Sequence, residues 1–188
     1  MPWSRIARLL PPRHLVMKST AVALLIAAIL LCAPAAPAAA GWIEEVAVGA
    51  GPFAVLDDDA VAQLDAELRF SSFYTIPRSG GRFTLSPIAG AMANADGARY
   101  AYGGFRLALP FGERWVVAPY TGAGVYGRGD SVDLGGPLEF RSGLELSCRI
   151  GPCSRLGLSL YHLSNARVYD VNPGTESLIL VYSYRLRR

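Results

Sequence analysis

From Gly41 onward, hydrophobic and polar positions alternate with a period of two. The alternation comes in runs of roughly ten residues, broken by clusters of Gly, Pro, Asp and Asn. Eight runs stand out, at 43–51, 60–73, 82–93, 99–109, 114–126, 137–148, 154–164 and 176–186. In the second, Ala60, Ala62, Leu64, Ala66, Leu68 and Phe70 occupy the even positions, and Gln63, Asp65, Glu67 and Arg69 fall between them. In the sixth, Leu138, Phe140, Leu144 and Leu146 oppose Glu139, Arg141, Glu145 and Ser147. Successive side chains of a strand point to opposite faces, so each run makes a strand with one apolar face and one face carrying charges of both signs. No stretch of this region sustains a helical period.

Two architectures share that pattern. A soluble sheet packs its apolar face into a core and wets its charges. A membrane barrel turns the apolar face to lipid and pairs the charges inside. Strands of about ten residues, their even number and an export signal select the second. The expectation is an all-β, eight-stranded antiparallel transmembrane β-barrel of the outer membrane. Tyr74, Tyr100, Trp115, Tyr126 and Tyr184 lie near strand ends, where interfacial girdles form. With both termini in the periplasm, the turn between the sixth and seventh strands is periplasmic and the 165–175 loop extracellular.

The export signal occupies residues 1–40. Arg5, Arg8, Arg13 and Lys18 precede an apolar run from Ala21 to Leu31, and Ala38-Ala39-Ala40 offers a cleavage site before Gly41. Met17 provides a second candidate start. A transmembrane anchor is disfavoured by the shortness of the apolar run and by Pro34 and Pro37. A lipid anchor on Cys32 is disfavoured by the bulky Leu31 before it. The domain then runs from 41 to 188. Without the signal, Lys and Arg number 14 (18 less the four just named) against 15 Asp and Glu. No basic patch points to nucleic acid. Cys148 and Cys153 remain, flanking Arg-Ile-Gly-Pro, and in an oxidising compartment they form a candidate disulfide across a hairpin. No metal site is expected around them, since no other Cys or His is near in sequence.

The candidate chemistry lies at the end of the chain. His162 and Ser164 are two apart and therefore share a face of the seventh strand. That face also carries Leu156, Leu158 and Leu160 and is the one expected to meet lipid. Glu176 opens the eighth strand on the matching face, with Leu178 and Leu180. Polar groups in that setting are unfavourable unless they bond to one another or serve a reaction. A serine, a histidine and a carboxylate are the set a serine hydrolase requires. His162 is the one histidine outside the signal.

The segment His162-Leu163-Ser164-Asn165-Ala166, with Glu176 twelve residues after the serine, resembles the lipid A 3-O-deacylases of the PagL type. The resemblance implies an eight-stranded outer-membrane barrel with a Ser-His-Glu triad on its lipid-facing surface. It assigns Ser164 as nucleophile, His162 as base and Glu176 as the acid that orients the imidazole. It places Asn172 where the family has an oxyanion-stabilising amide. Asn165 points inward by parity and is expected to brace the loop. Arg167 stands where some members have a small residue. The implied reaction removes the ester-linked 3-hydroxyacyl chain at position 3 of lipid A, the lipid of lipopolysaccharide in the outer leaflet, with no cofactor. The chain departs from barrel habit in ending Tyr-Arg-Leu-Arg-Arg, with Leu186 as its effective end. Three other readings compete: a non-enzymatic small barrel for adhesion or integrity, an outer-membrane lipase or acyltransferase acting on another lipid ester, and a soluble lipocalin-like barrel with its apolar faces inside.

Overall fold

The computed structural model describes residues 42–57, 60–78 and 81–186. The expected signal segment and cleavage site, with Met17 and Cys32, lie outside the described residues. Nine strands follow in order: β1 (Ile43–Phe53), β2 (Val61–Phe70), β3 (Tyr74–Arg78), β4 (Gly81–Asn94), β5 (Arg99–Phe111), β6 (Trp115–Gly127), β7 (Leu138–Arg149), β8 (Ser154–Ser164) and β9 (Thr175–Arg185). Chain neighbours pair antiparallel from β4 to β9, β9 pairs with β1, β1 with β2, and β2 with β4. The sheet is therefore closed. β2 and β3 are two parts of one stave: Gln63 to Arg69 pair with Asn94 to Ile88, and after a break at 71–73, Tyr74 to Arg78 pair with Leu85 to Gly81. Eight staves make the barrel, as the eight runs predict. The second run extends further than expected, because pairing to β4 resumes beyond the break.

Side-chain direction settles which face meets which solvent. Gln63, Asp65, Arg69, Arg106, Arg141 and Glu145 are buried, while Leu68, Leu144, Leu146, Leu156, Leu158, Leu160, Leu178 and Leu180 are exposed. A soluble barrel would reverse this, so the lipocalin-like alternative has the wrong face outward. Closure gives every strand but the short β3 two partners, and β3 prolongs the second stave against β4 alone; a bilayer requires such closure of any sheet that crosses it. Short turns at 112–114 and 150–153 mark one end of the barrel. Longer connections at 54–60, 128–137 and 165–174 mark the other, as barrels of this class present to the outside.

Paired charges fill the lumen. Arg69 bridges Glu45, Glu67 and Glu145, and Arg106 reaches Glu145 at 3.0 Å. Arg141 pairs with Asp65 at 2.7 Å, and its guanidinium lies 3.7 Å from the ring centroid of Tyr161, 4.6 Å from Tyr102 and 5.3 Å from Tyr120. Hydroxyls complete the set: Tyr102 donates to Glu67 at 2.8 Å, and Tyr120 and Ser159 are 2.6 Å apart. Three arginines are thus set among four acids contributed by β1, β2 and β7.

Two expectations are corrected. Tyr100 and Tyr126 are not in an exterior girdle; both are buried. Their parity points them inward. Tyr100 stacks on Tyr102 with centroids 5.3 Å apart and donates to the Glu139 carbonyl, while Tyr126 donates to the carbonyl of Val132. Tyr74, Trp115 and Tyr184 are exposed, at the short-turn end. Cys148 and Cys153 are free thiols. Cys148 shares the outward parity of Leu144 and Leu146, whereas Cys153 lines a recess at the barrel mouth with Glu45, Arg149, Arg155 and Arg185. The short spacing therefore places the two on different faces.

Removing one member of the lumen network leaves its partners charged and buried. Glu145→Ala is expected to lower the unfolding free energy in lipid vesicles by about 3–5 kcal/mol, because it strips Arg69 and Arg106 of a shared carboxylate. Arg128→Ala, which breaks an exposed loop pair with Asp133, is expected to change it by less than about 1 kcal/mol. Urea titration of the two variants checks the contrast, and equal effects would contradict the role given to the network.

Candidate active site

β8 and β9 form the hairpin that carries the candidate residues. The outward positions of β8 are Leu156, Leu158, Leu160, His162 and Ser164; its inward positions, Gly157, Ser159, Tyr161 and Leu163, are buried. On β9, Thr175, Ser177, Ile179 and Val181 are buried and Glu176, Leu178 and Leu180 face outward. The register sets His162 directly opposite Glu176. Their side chains meet at 2.9 Å, between His162 Nδ1 and Glu176 Oε1, with 46% and 32% of each side chain exposed. A carboxylate has no proton to give, so Nδ1 carries the hydrogen and donates it. In the neutral imidazole Nε2 then keeps a free lone pair, the form a general base needs.

Ser164 ends β8 on the same face, two residues toward the loop. Among the hydrogen bonds of the described residues none joins Ser164 to His162. Catalytic hydrogen bonds are commonly loose before substrate is bound. The strands thus bring the three residues to one outward face, with the His–Glu contact already made.

The loop after Ser164 is strained and braced. Ala166 and Arg167 both have left-handed backbones, at φ 51° and 63°, and the Val168 N–H closes the turn onto the Asn165 carbonyl at 3.0 Å. Left-handed residues other than glycine cost about 1 kcal/mol or more each, so neighbouring contacts must hold them. Asn165 supplies those contacts. It is fully buried. Its Nδ2 donates to the carbonyls of Leu134, at 2.6 Å, and Val171, at 2.7 Å, while its Oδ1 accepts from the Arg167 N–H at 2.9 Å. It therefore ties the 165–174 loop to the adjacent 128–137 loop. Gly135 permits the close approach, because a Cβ there would meet the Val171 carbonyl oxygen at 2.0 Å.

Asn172 sits in the same loop. Its Oδ1 accepts the Asn165 backbone N–H at 2.9 Å. That bond fixes the amide orientation and directs Nδ2 away, with two hydrogens to donate. From the far side, the Val55 N–H donates to the Glu176 carbonyl at 2.9 Å, anchoring the start of β9 to the first loop.

Gly174 is a residue that the sequence did not flag. Its φ is +70°, and a Cβ there would lie 2.5 Å from Cε1 and 3.0 Å from Nε2 of His162. The loop backbone therefore passes against the edge of the imidazole, with no room for a side chain. Its place in Asn-Pro-Gly was the available signal, but that motif speaks of a turn and not of the ring it abuts. Among the described residues no group of three or more His, Cys, Asp or Glu is arranged to hold a metal ion.

A family model described as lipid A 3-O-deacylase (PagL) matches residues 65–185. The lipid A deacylase PagL of Bordetella bronchiseptica is 32% identical over 114 residues, covering 56% of this chain and 64% of the relative. The matched segment thus spans slightly less than two thirds of that protein's length. The crystal structure of the outer membrane enzyme PagL matches with a TM-score of 0.64 at 18% identity, over 74% of this chain and 98% of that one. A de novo designed barrel, TMB2.3, solved by solution NMR, matches with a TM-score of 0.52 at 16% identity, over 78% of this chain and 96% of the design. At such identities the two structures speak for the fold. The family match runs from within β2 to the end of β9 and includes the whole hairpin of His162, Ser164 and Glu176; the chain belongs to the lipid A 3-O-deacylase (PagL) family.

Proposed function

We propose that the protein is an outer-membrane serine esterase that removes the ester-linked 3-hydroxyacyl chain at position 3 of lipid A, after cleavage of a signal peptide spanning residues 1–40. The observation that carries this reading is the His162–Glu176 hydrogen bond on the lipid-facing side of the β8–β9 hairpin, with Ser164 on the same face. A site that opens toward lipid is suited to an ester whose acyl chain already lies in the leaflet. Family membership supports the same substrate.

In this mechanism Ser164 Oγ attacks the ester carbonyl as its proton passes to His162 Nε2. Glu176 holds Nδ1–H, so it keeps the tautomer and stabilises the imidazolium. The tetrahedral intermediate collapses, the sugar oxygen departs with the proton from Nε2, and an acyl-enzyme remains. Water, deprotonated by Nε2, attacks the acyl carbonyl; the second tetrahedral intermediate collapses, Ser164 Oγ departs with the proton from Nε2, and the fatty acid is released. Asn172 Nδ2, oriented by the bond to Asn165, is the side-chain donor for the oxyanion, a contribution of ~3 kcal/mol when well aimed. Asn165 acts through the loop and touches no reacting atom.

Expression in Gram-negative cells followed by mass spectrometry of lipid A tests the proposal. The wild type is expected to remove one hydroxyacyl group, and Ser164→Ala to lower turnover at least about a thousandfold. Unchanged lipid A with a folded wild-type barrel in the outer membrane would overturn it. Glu176→Gln is expected to reduce turnover by roughly 10²–10⁴-fold, since the imidazole loses its fixed tautomer. Gly174→Ala is expected to displace the imidazole and cost roughly 10²-fold in kcat with the barrel intact. Wild-type rates for Gly174→Ala would show that the ring tolerates displacement.

A further inference from the structure

The exterior row that holds Glu176 and His162 continues past β8. His162 is opposite Ser142 on β7, and Ser142 is opposite Thr121 on β6. Ser142 Oγ and Thr121 Oγ1 are 3.2 Å apart, and both residues are exposed on the lipid-facing side. The next two rows toward the short-turn end are apolar, Pro119–Leu144–Leu160–Leu178 and Val117–Leu146–Leu158–Leu180. Two hydroxyls therefore stand at the edge of a leucine surface, where polar groups are unfavourable without partners. Their mutual bond uses one of their two O–H donors. The second donor and the spare lone pairs fit one further hydroxyl.

The barrel's slant gives the pair its position. A row of paired residues that starts at Phe53 passes Ser177, Tyr161, Gly143, Tyr120, Arg106 and Ser86. It then reaches the stave between Arg69, which pairs with Glu45, and Tyr74. The row thus comes back to β1 near Glu45 or below it, closer to the short-turn end than where it began. Each step from β9 toward β6 therefore descends from the loop end. Ser164 pairs with Phe140, and Ser142 lies two residues further down β7. The step across and the step down shift sideways in opposite senses and nearly cancel. With strands tilted about 40°, Ser142 lies beneath Ser164, about 8 Å deeper along the barrel axis.

We propose that Ser142 and Thr121 form a subsite that recognises a hydroxyl on the acyl chain, close to the ester carbonyl that Ser164 attacks. The inference rests on the deacylase reading above and deepens it. An acyl chain that enters the leaflet from Ser164 passes Ser142 first. A hydroxyl on its third carbon, two carbons past the carbonyl, accepts from the free O–H of the pair and donates to a lone pair. Below that point the leucine rows take the apolar remainder. The pair selects hydroxylated over plain acyl esters and holds the carbonyl at the nucleophile.

The test uses purified full barrel in phospholipid vesicles with two synthetic esters of one chain length, one hydroxylated on the third acyl carbon and one not. The readout is the ratio of their kcat/KM values. The wild type is expected to favour the hydroxylated ester, and Ser142→Ala with Thr121→Val to lower the ratio about tenfold, the value of one to two hydrogen bonds. Ser142→Thr, which keeps a hydroxyl, is expected to retain the preference. A wild-type ratio near one, an unchanged ratio in the double variant, or equal loss on both esters would overturn the subsite. Hydrolysis of neither ester by the folded wild type would overturn the deacylase reading itself.

Discussion

One constraint governs the molecule: a sheet that meets hydrocarbon must satisfy all its backbone groups within itself and keep its charges off its outer face. Closure through the β1–β9 and β2–β4 pairings meets the first requirement. The lumen meets the second, since Arg69, Arg106 and Arg141 each find carboxylates across the barrel. These ion pairs join β1, β2, β5 and β7, so they also bind staves that are not neighbours. A buried pair is weak evidence for net stability, but losing one partner is severe. The inside-out arrangement is what gives the exterior its meaning. On a surface of leucines, a histidine and a glutamate in contact mark a site.

The hairpin divides rigidity and strain between strand and loop. The ladder places His162 against Glu176, and no loop is needed for that contact. The loop supplies what a strand cannot: the chain reversal beside Ser164, held left-handed at Ala166 and Arg167, and the amide of Asn172. Asn165 anchors both through its bonds to Leu134, Val171 and Arg167. The strain is local and the fastening is buried, the arrangement expected where a backbone must hold a shape it would not otherwise adopt.

Much of this was legible in the residues. Period-two runs located all eight staves, and parity alone turned His162, Ser164 and Glu176 outward. Other features depend on register between distant segments, which a linear pattern does not contain. The β2 stave resumes as β3 after 71–73 because β4 continues to offer pairing partners. Tyr100 and Tyr126 sit near strand ends, yet end position does not fix the face. Cys148 and Cys153 are close in sequence, yet they point to different sides of the wall. The approach of Gly174 to His162 and the Thr121–Ser142 pair emerge only when loops and strands are assembled.

The central claim is that the β8 face bearing His162 and Ser164 looks into lipid at the loop end of the barrel. Nitroxide scanning tests it most directly. Single cysteines, each in a background with Cys148 and Cys153 replaced by serine, are introduced in turn from 158 to 164, spin-labelled and measured in vesicles for collisions with oxygen and with a water-soluble nickel complex. The structure predicts high oxygen accessibility at 158, 160, 162 and 164, with the nickel signal rising toward 164, and low accessibility to both at 159, 161 and 163. A reversed alternation, or uniform access to the nickel complex along the strand, would contradict it.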